Sequence, residues 1–352
     1  MTKKQKITAV LALAFAFCLG MAVMCGCSYF TQEKVAEIHK TVGTILDIAY
    51  TSGGAVLVEQ KIDQLVADGK ITAQQGEMLK AAARKALEMA GVEPSELDLI
   101  TVATVTPDKL FPNTAALVQR KLGACTCPCF DLEAACSGLI YSIEVAHSLM
   151  AANKKYKKAL VIGAEKLSSI VDWTDRSTCV LFGDGAAALV LESGDEIEGD
   201  FYVAGKLAAD GNYGDILHLP AGGSAMPASH ESVDGKFHFI KMGGQETFKL
   251  AVTAMTGACK EVLADSGIAP EQIAWVIPHQ ANRRIISAVA ARLTIPDERV
   301  YANIDRYGNT SSASIGICLD EMNRAGKLKR GDYILLTAFG GGLTWGAQLI
   351  RW

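Results

Sequence analysis

Short apolar runs alternate with helically spaced segments along most of the chain. DLITVAT (98–104), FDLEAA (130–135), KALVIGAE (158–165), AAALVLE (186–192), WVIPH (275–279) and YILLTAFGGG (333–342) are apolar stretches of strand length. Between them lie TAALVQRKLG, the segment after Cys136, FKLAVTAMTGACKEVLADSG and RRIISAVAARL. Their apolar positions recur three and four apart, which predicts helices. A further helix is expected from about Thr72 to Gly91, where the glycine is a natural stop. Buried strands alternating with helices predict an α/β protein with much parallel sheet. GVEPSELDLITVAT and GIAPEQIAWVIPH run alike, from a helix end through a glycine and an acidic loop into a buried strand. That echo predicts two similar halves, 76–200 and 201–352.

The front of the chain has a different texture. Residues 1–30 open with Lys3, Lys4 and Lys6, continue with an apolar run from Ile7 to about Met24, and close on small residues with Cys25 and Cys27. This is the layout of a secretory signal peptide. MCGC resembles a bacterial lipoprotein processing site with Cys27 as the lipidated residue. The same run is nearly long enough for a signal-anchor helix, and in either case the leading lysines direct the following chain out of the cytoplasm. Residues 31–75 are polar and helix-compatible, are broken by Ser52, Gly53 and Gly54, and carry no evident chemistry.

Composition narrows the function. The chain has 352 residues, 50% hydrophobic and 20% charged, enough for a large core. A net charge of −4 excludes a global basic field for nucleic acid. The 10 cysteines lie in apolar or Ala/Gly-rich surroundings, which suits reduced thiols better than a disulfide framework. Cys125, Cys127 and Cys129 do not follow the usual zinc spacing and no second cluster completes them, so no metal is expected.

Four sites offer chemistry. Cys136 lies where a strand gives way to a helix beginning near Gly138. The free N–H groups and dipole of a helix N-terminus lower a thiol's pKa and make a nucleophile, although a free cysteine is as often a buried apolar residue. His279 ends a buried strand in WVIPHQANRRII, where α/β folds place working groups. Asn309 opens the Thr-Ser-Ser-Ala-Ser turn of GNTSSAS, and asparagine is first of all a turn former. The glycines of FGGGLTWG (339–346) allow backbone N–H groups to approach an oxyanion.

AACSGL, PHQAN, GNTSSAS and FGGGLTWG occur in the order and at about the spacing of β-ketoacyl-[acyl-carrier-protein] synthase III, and DWTDRSTCVLFGDGAAALVLE (172–192) also resembles that family. The resemblance covers about residues 80–352 and implies a thiolase-like fold: two similar α/β halves in five layers, in a homodimer. It implies an enzyme that starts fatty-acid synthesis by condensing an acyl-CoA, typically acetyl-CoA, with malonyl-acyl-carrier protein. Cys136 would carry the acyl group, with the N–H groups of Cys136 and Gly341 holding the oxyanion. His279 and Asn309 would stabilise the enolate. No cofactor is implied, because acyl-CoA is a substrate. Arg176 resembles a CoA-binding arginine, and Gln280, Asn282, Arg283, Arg284 and Lys249 a docking patch for the carrier protein. Phe111 resembles the residue that closes the acyl pocket across the dimer.

Residues 1–75 do not resemble the family's opening strand and its Trp- and Arg-bearing CoA clasp, so the first half is expected to lack that strand. Both substrates are cytoplasmic, which places the catalytic part there and sets it against the signal-like front. The alternatives are a fusion or join near residues 75–80, or an inactive, membrane-tethered relic.

Overall fold

A computed structural model describes residues 75–124, 126–194 and 200–352, with side chains from residue 81 onward. The expectations for residues 1–74 and for Cys125 lie outside the described residues. The first half contains α1 (Gln75–Ala90), β1 (Leu99–Ala103), α2 (Thr114–Leu122), β2 (Cys129–Leu132), α3 (Gly138–Ala152), β3 (Lys158–Glu165) and β4 (Gly185–Glu192). The second contains β5 (Tyr202–Ala209), β6 (Leu217–His218), α4 (His230–Asp234), β7 (Lys241–Met242), α5 (Gly244–Ser266), β8 (Ile273–Pro278), α6 (Arg283–Arg292), α7 (Ile304–Tyr307), α8 (Ser314–Arg324), β9 (Tyr333–Gly340) and β10 (Thr344–Arg351).

Local chemistry sets several boundaries. The Asn113 side chain accepts from Ala116 N–H to cap α2, and Gly123, at φ 69°, ends it in the left-handed region. Gly267 closes α5 in the same way at φ 68°. The expected strand 130–135 stops at Leu132, because the chain turns through a 3₁₀ segment, Ala135–Ser137, into α3. Besides the two-residue β6 and β7, two long strands escaped the apolar pattern. β5, YVAGKLAA, is half-buried along most of its length and interrupted by Gly205 and Lys206, and β10 carries a buried Gln348 whose amide donates to Ile140 O.

The two halves repeat one design. In the first sheet the order is β2-β1-β3-β4, with β1, β2 and β3 parallel and β4 antiparallel to β3. In the second it is β8-β9-β10-β5, with β8 parallel to β9 and β10 antiparallel to both neighbours. A parallel bridge from Val276 to Val300 stands where β2 stands beside β1. β5 covers β10, but among the described residues no strand covers the outer edge of β4. The β4 residues are correspondingly only half-buried, whereas β10 is mostly buried.

The packing has five layers. α1 and α2 cover the outer face of the first sheet through Ala83, Leu87, Val118 and Leu122 against Ile100, Leu160 and Ile162. α5 and α6 cover the outer face of the second through Val252, Met255, Cys259 and Val289 against Val276, Leu335 and Ala347. α3 and α8 form the middle layer, where Leu139, Ile140, Ile143, Ile315 and Leu319 meet Leu99 and Val161 from one sheet and Ile277, Ile334 and Leu336 from the other. A helix packed between two sheets must be apolar nearly all round, which explains the composition of α3. The five-layered, duplicated arrangement implied by the resemblance is the observed one.

Candidate active site

Two turns related by the internal repeat meet between the sheets. Ala135–Ser137 leads into α3 and Ser311–Ala313 leads into α8. Each opens on a residue with positive φ, Ala135 at 45° and Ser311 at 48°. Such backbone costs about 1–3 kcal/mol per residue and persists only where the surroundings enforce it. The end of β9 passes directly behind the cysteine: a Cβ on Gly340 would lie 2.6 Å from Cys136 N and 3.0 Å from Ala135 Cβ. Only glycine permits that approach, and it carries Gly341 into the same region. Among the described residues, neither Cys136 N–H nor Gly341 N–H donates in a turn or loop hydrogen bond. Gly340→Ala is expected to push β9 off the cysteine turn and lower acyl transfer to Cys136 by about a hundredfold or more, measured by mass spectrometry of the acylated peptide.

His279 follows the last residue of β8, and its N–H donates to Thr337 O at 2.8 Å. Its Nδ1 lies 2.7 Å from Ser314 Oγ, while its buried Nε2 has no partner. Burial lowers the imidazole pKa to about 3, so the ring is neutral. Asn309 is pinned through its backbone, donating to Leu181 O and accepting from Gly183 N–H. Its Oδ1 accepts from Ser311 N–H at 2.9 Å, which leaves the NH₂ group as the donor it can offer a ligand.

The thiol departs from expectation. Burial pushes the Cys136 pKa up to about 12; the Ser311 hydroxyl works against this, and the Glu165 carboxylate adds to it. The lowering expected from the helix N-terminus is therefore outweighed, because burial penalises the thiolate more than the helix end favours it.

A cavity of about 770 Å³ collects these groups, with Cys136, His279, Asn309 and Phe339 among its lining residues. Lys249, Asn282 and Arg284 also line it, and Arg283 is exposed beside them. Asn282 doubles as the cap of α6, accepting from Arg284 N–H. Arg176 is exposed on the loop whose Ser177 and Leu181 reach the cavity. Gln280 requires a correction. It is 1% exposed, its amide donates to Pro278 O at 2.7 Å, and its Oε1 accepts from Asn303 N–H at 2.9 Å. It braces the histidine segment from inside and presents nothing to a docking protein. Phe111 is not brought to the cavity by this chain; it is 84% exposed beside Leu110, at 86%.

The sequence reading missed the support beneath the site. Glu165, at the end of β3, is fully buried and accepts from Val105 N–H, Thr106 Oγ1, Ser311 Oγ and Ser312 Oγ at 2.9–3.1 Å. It thus ties the loop after β1 to the turn after Asn309. The available signal was an acidic residue closing an otherwise apolar strand, KALVIGAE, together with a serine-rich turn.

Comparison with known proteins identifies relatives of the whole described region. The family description "3-oxoacyl-[acyl-carrier-protein (ACP)] synthase III" matches residues 130–211, and its C-terminal counterpart matches 263–352. A β-ketoacyl-[acyl-carrier-protein] synthase III of Caldanaerobacter subterraneus is 52% identical over 77% of this chain and 81% of its own length. One from Natranaerobius thermophilus is 45% identical over 92% of this chain and 95% of its own length, an alignment that reaches into the residues before 76. The crystal structure of 3-oxoacyl-[acyl-carrier-protein] synthase III from Aquifex aeolicus superposes with a TM-score of 0.73 at 50% identity, covering 80% of this chain and 85% of that one. With its sheets, its cysteine turn and its motifs in these places, the chain belongs to the β-ketoacyl-[acyl-carrier-protein] synthase III family, acyltransferases that act as condensing enzymes in fatty-acid synthesis.

Proposed function

We propose that the chain condenses an acyl-CoA, acetyl-CoA in the simplest case, with malonyl-acyl-carrier protein through a thioester on Cys136. The observation that carries this reading is the single cavity shared by Cys136, His279 and Asn309. In the first step the Cys136 sulfur attacks the thioester carbonyl, whose oxygen takes up negative charge beside the N–H groups of Cys136 and Gly341. The bond to the CoA sulfur breaks, and CoA leaves as a thiol with the proton Cys136 gives up. In the second step the malonyl group loses carbon dioxide, and the electron pair of the broken C–C bond enters an enolate. Its oxygen accepts hydrogen bonds from His279 and Asn309, for which a neutral imidazole is suited. The enolate carbon attacks the Cys136 thioester and forms the new C–C bond; the bond to the Cys136 sulfur breaks, and the thiolate released takes a proton from water to become the thiol again. Acyl-CoA enters as a substrate, not as a cofactor.

The cavity rim supports two polyanionic substrates. Lys249, Arg283 and Arg284 offer charge to an acidic carrier protein, with Asn282 between them, and Arg176 offers it to the phosphates of CoA. The exposed Leu110–Phe111 pair suits burial against a second copy, which would close the acyl pocket in a homodimer. Both substrates place the reaction in the cytoplasm. The alternative that the sequence leaves open, an inert relic carried on a tethered or fused chain, requires a Cys136 that takes no acyl group.

Incubating the full chain with acetyl-CoA and examining its peptides by mass spectrometry separates the two. An acetyl group on the Cys136 peptide, absent in Cys136→Ser, is expected. Folded protein that stays unacetylated would overturn the condensation reading and favour the relic.

A further inference from the structure

The imidazole of His279 is held from behind by one hydroxyl. Ser314 opens α8 and is buried, with its Oγ 2.7 Å from His279 Nδ1 and 3.3 Å from Gln280 N. A backbone N–H can only donate, so the Gln280 contact occupies a lone pair of Oγ. Among the described residues, Nδ1 is the one acceptor within reach of the Ser314 hydroxyl hydrogen. A buried hydroxyl that donated to nothing would forfeit a hydrogen bond that water offers it in the unfolded chain. The hydrogen therefore points at Nδ1, which must be the unprotonated nitrogen of the ring. A neutral imidazole carries one hydrogen, so it sits on Nε2, the buried atom that has no partner.

We propose that Ser314 is a positioning residue that fixes His279 in its Nε2–H tautomer, so that the ring donates a hydrogen bond to the enolate oxygen formed during decarboxylation. The proposal rests on the condensation reading above. Gln280 completes the device. Its side chain bonds to Pro278 O and receives Asn303 N–H, which holds the backbone so that its own N–H faces Ser314. The low basicity of the buried ring removes the imidazolium as a competing form. Asn309 cannot substitute for this control, because its own amide is set independently by Ser311 N–H.

The test uses the full chain, ¹⁵N-labelled at histidine, with two-bond ¹⁵N–¹H correlation spectra and two separate half-reactions. Native His279 is expected to show the Nε2–H pattern. In Ser314→Ala the two tautomers should mix. Decarboxylation of malonyl-acyl-carrier protein should then fall about ten- to a hundredfold in kcat with little change in KM. Acetylation of Cys136 should stay within about twofold, because it does not use the histidine donor. Ser314→Thr, which keeps the hydroxyl, should restore the native spectrum and most of the rate. An Nδ1–H native ring would overturn the proposal whatever the activity. So would an unchanged decarboxylation rate in Ser314→Ala, or an equal loss of both half-reactions. If native protein is not acetylated at all, the condensation reading fails, and the spectra alone decide whether Ser314 sets the tautomer.

Discussion

Glu165→Ala is expected to destabilise the protein by roughly 5 kcal/mol, a large share of a domain's net stability. The carboxylate is the common acceptor of Val105 N–H, Thr106 Oγ1, Ser311 Oγ and Ser312 Oγ, with Thr104 Oγ1 at 3.4 Å. Each buried donor left without an acceptor costs about 1–3 kcal/mol, less where an entering water or a neighbouring hydroxyl takes it up. Glu165→Gln keeps the volume and tests the charge. Burial raises the Glu165 pKa from 4.5 to about 7, so between those values the folded state holds a proton that the unfolded chain has released. Its contribution is fully present below pH 4.5 and is lost as pH rises through about 7, roughly 3 kcal/mol in all.

His279 acts with the opposite sign. Its pKa falls from 6.5 to about 3, so stability is lost as pH drops through that interval. Between pH 4.5 and 6.5 the two slopes oppose each other in the native protein. In Glu165→Gln only the histidine slope remains, and stability should rise by about 1.4 kcal/mol per pH unit across that window relative to native. Denaturant titrations at several pH values measure this. Identical pH slopes in the two proteins would show that Glu165 does not titrate there.

Alkylation of Cys136 by iodoacetamide should accelerate about tenfold per pH unit from pH 7 to 10, with no plateau. At a pKa of about 12 the thiolate is roughly one part in 10⁵ at pH 7, and its population grows in proportion to hydroxide. Among the described residues the other buried thiols, Cys259 and Cys318, do not line the cavity and should stay unmodified in folded protein. Peptide mass spectrometry follows the three separately. A plateau below about pH 8.5 would show that the helix end wins over burial after all. The expected profile bears on mechanism, since a thiol held protonated must lose its proton during acyl transfer itself. Ser311 is the neighbour that works against the burial, and its own hydroxyl is anchored on Glu165.

Much of the architecture could be read from apolar spacing. The strand KALVIGAE shows in full, and the helices RRIISAVAARL and FKLAVTAMTGACKEVLADSG show to within a few residues of their observed bounds. These elements are buried on whole faces, so their periodicity shows directly. β10 stayed hidden because it begins beside a run of glycines and buries a glutamine, a choice that makes sense only once Ile140 O stands opposite.

The sequence by itself pointed to the family, the order of the halves and the candidate groups Cys136, His279 and Asn309, because the motifs around them, AACSGL, PHQAN and GNTSSAS, resemble that family in order and spacing, although each residue read alone left a structural alternative open. Tertiary structure alone decided how those groups behave. The thiol is basic because it is buried, Gln280 is a buried brace although its motif suggested a surface role, and Ser314 meets His279 from 35 residues away. Glu165 lies 146 residues from the serine it holds. Burial and hydrogen bonding between such distant segments are properties of the packed layers, and no local pattern of residues encodes them.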